Sequence, residues 1–189
     1  MSKVLKKYKN IYIFILILSL IGLSSGYIYH KVQPTKTKEE LIESINIEEE
    51  LTHTINNIAK ASMIIIKTLL YSILIIPQLI NIFNIFYKPF QIGFILNMLE
   101  TYSLKFSLLY ISIYHILPLV FSLILIKISL IISKNIIELL IYKDKLSIKH
   151  LKQQLKKYLI ISIIYLFYEF IILIFSSIIN SYLMTIISL

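Results

Sequence analysis

The stretch FSLLYISIYHILPLVFSLILI, residues 106–126, decides the fold class. It contains no Asp, Glu, Lys or Arg and lies between Lys105 and Lys127. At about 1.5 Å per residue, a helix of this length covers the roughly 30 Å hydrocarbon core of a bilayer. Its least apolar features are His115, several hydroxyls and Pro118, which lacks a backbone donor.

The rest of the chain has the same character. It has 189 residues, of which 58% are hydrophobic and only 15% charged, and its mean hydropathy is +0.82. A soluble domain is roughly 45–50% apolar and about 25% charged. A globule this small cannot hide so much Ile, Leu and Phe from water. This composition argues against a soluble enzyme, a disordered chain and a free nucleic-acid binder. It predicts an all-α, polytopic membrane protein with about five transmembrane helices.

Working outward from residues 106–126, which form the fourth predicted span, the first is residues 11–29, preceded by Lys3, Lys6, Lys7 and Lys9. A basic start, an apolar run and small residues at 24–26 also suit a cleavable signal peptide. Residues 30–60 form a polar segment rich in Glu, including Glu39, Glu40, Glu43, Glu48, Glu49 and Glu50. The cluster reads as a solvated loop or as a cation site. The second span is residues 61–87, with Pro77 inside it. Residues 90–103 are a third span, short or re-entrant, because their apolar core falls below the roughly 17 residues that a full crossing needs. Residues 143–157 are a basic linker in which Ile148, Leu151 and Leu155 share a helical face. This linker suits either an amphipathic helix on anionic lipid or a solvated loop. Residues 158–187 are the fifth span, and the whole chain reads as one integral membrane domain.

Lysine placement sets the expected orientation, since short Lys-rich loops stay cytoplasmic. Lys3, Lys6, Lys7, Lys9, Lys88, Lys127, Lys134, Lys143, Lys145, Lys149, Lys152, Lys156 and Lys157 fall on the side of the N-terminus. Only Lys31, Lys36, Lys38, Lys60, Lys67 and Lys105 fall opposite. The N-terminus is therefore expected inside, and the acidic segment and C-terminus outside.

Little in the chain suggests chemistry. Cys is absent and Gly occurs only 3 times, so thiol nucleophiles and Gly-rich phosphate cradles are excluded. All 19 basic residues are Lys, and Arg is the usual choice for bidentate phosphate recognition. The four His residues are scattered, so no metal site is expected. Two ionisable side chains fall at membrane depth, His115 and Glu169. Glu169 reads as a proton or cation site, or as a neutral carboxyl bonded to a neighbouring helix. His115 reads as a polar contact to the backbone near Pro118 or as a partner of Glu169. Ser176, Ser177, Asn180 and Ser181 give the last span a polar edge suited to helix packing.

The segment order resembles the stage II sporulation protein M family. Tyr87-Lys88-Pro89-Phe90-Gln91-Ile92-Gly93-Phe94 looks like that family's basic-Gly-Phe-x-x-Gly-Phe start to the third span. Ile116-Leu117-Pro118 is similar to its Leu-Pro in the fourth. Residues 151–158 and 176–182 resemble its Lys-rich linker and the end of its last span. The likeness runs from about Ile11 to Thr185. Pro89 stands where the family often has Gly, and Leu119 and Leu123 stand where many relatives carry His and Glu. The resemblance implies a non-catalytic scaffold in the bacterial cell membrane, without a cofactor. Its expected partners are two cell-wall hydrolases, stage II sporulation proteins D and P, held at the septum during engulfment. A small permease or transporter subunit is the alternative. It is motivated by Glu169, His115 and the two proline-bearing spans.

Overall fold

A computed structural model describes residues 3–33, 55–74, 78–99, 104–142 and 145–187. Among these residues the chain is almost wholly helical and contains no strand. Helix α1 is Lys3–Val32, α2 is Ile55–Ile73 and α3 is Gln78–Leu99. Helix α4, Leu104–Ile111, continues through a π-helical turn at Ser112–Ile116 into α5, Leu117–Tyr142. Helix α6 is Lys145–Ile187, 43 residues long. The acidic cluster of residues 39–50 and Pro77 lie outside the described residues.

Four helical stretches are long and apolar enough to cross a membrane: Asn10–Val32, Gln78–Leu99, Lys105–Ile141 and Ile148–Leu183. The boundaries differ from the sequence expectation in three places. Residues 61–87 are not one span, because α2 stops at Ile73, four residues before Pro77. A proline disfavours helical geometry in the residue ahead of it, so a helix boundary falls naturally here. Residues 90–99 are not a short third span but the second half of α3, which runs through Pro89 without ending. Residues 145–157 are not a separate linker, since α6 continues through them into the last span.

The core is built as two helix pairs. Helices α1 and α3 run parallel in constant register, with Ser19 beside Ile85, Gly26 beside Phe90 and His30 beside Asn97. All three glycines of the chain line this seam. A Cβ on Gly22 would run into the Phe86 carbonyl, and one on Gly26 into that of Phe90. A Cβ on Gly93 would overlap the Leu23 carbonyl and lie 2.9 Å from Tyr27 N. Small residues let membrane helices approach backbone to backbone, and the gain is van der Waals contact, because lipid supplies no hydrophobic drive.

Helices α5 and α6 form the second pair, antiparallel, with Phe121 stacked on Tyr165 at 5.2 Å between ring centroids. Helix α2 lies against this pair: Ala61, Leu125, Ile128, Ile132, Tyr158 and Tyr165 are buried in one cluster. Ile15, Ile85 and Ile126 join α1, α3 and α5. Ile92, Phe106, Tyr110 and Leu183 close the opposite end. Leu16, Leu20, Ile163 and Phe167 are exposed apolar side chains, as a lipid-facing surface requires.

Enlarging a seam glycine should separate α1 from α3. Gly26→Val is expected to cost about 1–3 kcal/mol or more from forced backbone displacement. The exposed Ile21→Val should cost little by comparison. Unfolding in mixed micelles, followed by far-ultraviolet circular dichroism, measures both.

Candidate functional site: cross-helix polar contacts

A helix in lipid must satisfy its carbonyl groups without water. Pro89 carries no N–H, so the carbonyl four residues earlier, that of Ile85, loses its donor. The Ser19 hydroxyl of α1 donates to this oxygen at 3.4 Å. Lys88, the residue before Pro89, is held as well, its ammonium donating to Ser122 of α5 at 2.8 Å.

Pro118 is accommodated differently. Its ring would clash with the carbonyl of Tyr114 in a regular helix. The helix widens ahead of it, and the Leu117 N–H bonds Ser112 O, five residues back instead of four. That shift deprives Ile113 O of its usual donor. The Tyr168 hydroxyl of α6 takes the vacant place at 2.5 Å. Beside it, Tyr114 donates to Asn180 Oδ1 at 2.7 Å. Glu169 is buried at 3% exposure on the next position of α6, and Tyr165 hydrogen-bonds it from one turn away.

A third junction joins α2, α3, α5 and α6. Gln78 donates to Tyr71 O at 2.7 Å and so satisfies a carbonyl in the last turn of α2. Asn81 bonds Gln78 Oε1 at 3.1 Å and Ser129 Oγ at 3.2 Å. Ser129 in turn donates to Thr68 O at 2.7 Å. Tyr158 reaches Thr68 Oγ1 and Ile65 O, both at 2.5 Å. Near it, Lys127 caps Tyr12, donating to its hydroxyl and lying 3.6 Å from the ring centroid.

The sequence-predicted residues separate into those that meet and those that do not. His115 packs on Tyr110 at 5.3 Å between ring centroids, and its Nε2 has no hydrogen-bond partner. The π turn directs Tyr114, not His115, at α6. Of the polar edge on the last span, Asn180 faces inward and Ser176 bonds its own helix at Leu173 O. Ser177 and Ser181 are exposed. Gly93 is in the glycine seam, and Phe94 packs edge-on against His30 at 4.8 Å. Pro118 follows the π turn. No group of three or more His, Asp or Glu able to hold a metal is found among the described residues.

Sequence reasoning missed the glycine seam, although Gly22 and Gly26 stand four apart in an apolar run, a spacing typical of close helix contact. It also missed His30, which is buried with Nδ1 hydrogen-bonded to the Asn97 side chain at 2.7 Å. Comparison with protein-family models, with curated proteins and with solved structures finds no match to this chain.

Removing the Tyr168 hydroxyl leaves Ile113 O without a donor. Tyr168→Phe is expected to destabilise the fold by about 1–3 kcal/mol. In a Pro118→Ala background the turn can relax to a regular helix, so the same change should cost much less. A double-mutant cycle on unfolding in micelles measures the coupling. Additive effects would refute this account of the π turn.

Proposed function

We propose that this chain is a non-catalytic membrane scaffold of five crossings that gathers other proteins through its helix faces and its acidic segment. The supporting observation is how the membrane-depth polar groups are used. Ser19, Lys88, Tyr168, Asn180 and Gln78 all join one helix of this chain to another. Such contacts hold a bundle in a fixed shape, which a platform for partner helices requires.

The five crossings are supported by the direction of the first pair. Helices α1 and α3 run parallel, so a chain in which both cross must return between Val32 and Gln78. Helix α2 is the described helix in that interval. With the lysine bias, this supports an inward N-terminus and an outward C-terminus in a bacterial cell membrane. The likeness to stage II sporulation protein M makes outward-facing peptidoglycan hydrolases at the septum the partners to test first.

One observation favours a second reading, a small permease. Glu169 is a buried carboxylate at membrane depth beside a π turn, and such turns are frequent at functional sites. If it serves coupled transport, Glu169→Gln abolishes proton-coupled flux in vesicles. On the scaffold reading that substitution leaves partner recovery intact.

The chain has no cysteine, so single cysteines report topology directly. In intact cells, Lys36→Cys should react with a membrane-impermeant maleimide and Gln153→Cys only after lysis. In-membrane crosslinking and mass spectrometry then identify the partners. Wall hydrolases are the expected result. A cytoplasmic ATPase or a solute-binding protein would overturn the scaffold reading in favour of transport.

A further inference from the structure

The unbroken course of α6 aligns two features that belong to separate segments in the sequence reading. Lys149, Lys152 and Lys156 recur at helical spacing and are all exposed. At 100° per residue, Ile160, Ile163, Phe167 and Phe170 continue the same face, and they are exposed too. One stripe of the helix is therefore cationic over about two turns and then apolar over about the next three. The change falls between Lys156 and Ile160, within one turn.

None of Lys149, Lys152, Lys156 and Lys157 meets a carboxylate among the described residues. Other lysines at this end of the bundle are engaged: Lys127 on Tyr12, and Lys134 with Glu138 at 3.8 Å. The stripe thus carries concentrated positive charge next to an acyl-facing surface. An anionic phospholipid has the complementary layout, a phosphodiester head joined to apolar chains. Its head would meet Lys152 and Lys156. Its chains would lie along Ile163 and Phe167, about 10–17 Å further down the helix.

We infer that this face of α6 is a binding site for an anionic phospholipid, held by Lys152 and Lys156 with Lys149 and Lys157 adding to the local field. The inference rests on the placement of α6 in a membrane and not on the scaffold reading. Juxtamembrane lysines attract anionic lipid by about fivefold each, and the attraction decays within a Debye length. Lys152 and Lys156 stand nearest the apolar stretch on this face and therefore dominate.

The chain lacks Trp, so Ile163→Trp gives a single reporter at acyl-chain depth beside the site. The protein is reconstituted in phosphatidylcholine vesicles with brominated phosphatidylglycerol or brominated phosphatidylcholine as quencher. Quenching by phosphatidylglycerol is expected to be preferred at least fivefold, and the preference to fall to near one in Lys152→Gln/Lys156→Gln. High salt should erase it in the Ile163→Trp protein with its lysines intact, a readout that needs no lysine variant. Equal quenching by the two lipids at Ile163→Trp, or a preference unchanged by the lysine substitutions, overturns the site. So does relief of the preference by inorganic phosphate at matched ionic strength, since the ligand would then be the free anion. An absence of quenching by either lipid overturns the membrane placement of α6 together with the site.

Discussion

Backbone carbonyls at membrane depth must find donors in the absence of water, and this bundle depends on that constraint. A proline inside such a helix leaves one carbonyl unserved. At Pro89 the donor is Ser19 of α1, and at the π turn before Pro118 it is Tyr168 of α6. In the last turn of α2 it is the Gln78 side chain. Each repair comes from outside the helix that needs it. The prolines therefore act as tie points, because the irregularity in one helix is stable only while its neighbour stays in register.

The glycine seam sets that register for the first pair. Gly22, Gly26 and Gly93 bring the backbones of α1 and α3 so close that Ser19 can reach a carbonyl and His30 can reach Asn97. The steric and polar terms reinforce one another, since a shift along the seam would lose both. The parallel course that follows constrains the whole chain. Two parallel helices oblige the chain between them to return before it enters the second.

The second pair is longer than the first. Lys105–Ile141 and Ile148–Leu183 have 37 and 36 residues, against 23 and 22 for Asn10–Val32 and Gln78–Leu99. The difference is about 20 Å of helix, and α6 carries exposed lysines over much of that excess. Because α6 is unbroken, what reads as a linker is the first part of the same helix that carries the last apolar stretch.

The sequence by itself determined the class of the protein. Its apolar content, its uncharged runs and the scarcity of reactive groups follow from composition, and a helix is one of only two backbone solutions in lipid. It also singled out Glu169 and Asn180 as polar residues of the last span, of which Glu169 is buried and Asn180 accepts a hydrogen bond from Tyr114. Only the tertiary structure decided where helices end and which side chains meet. Pro77 and Pro89 look alike in the chain, yet α2 stops short of the first and α3 runs through the second, because Ser19 serves the carbonyl that Pro89 abandons. His115 and Glu169 look like a pair, yet the π turn presents Tyr114 to α6 in place of His115. Hydropathy and periodicity report each residue's own preference. Which partner completes a hydrogen bond depends on residues some 50–70 positions away, and chain folding alone brings those together.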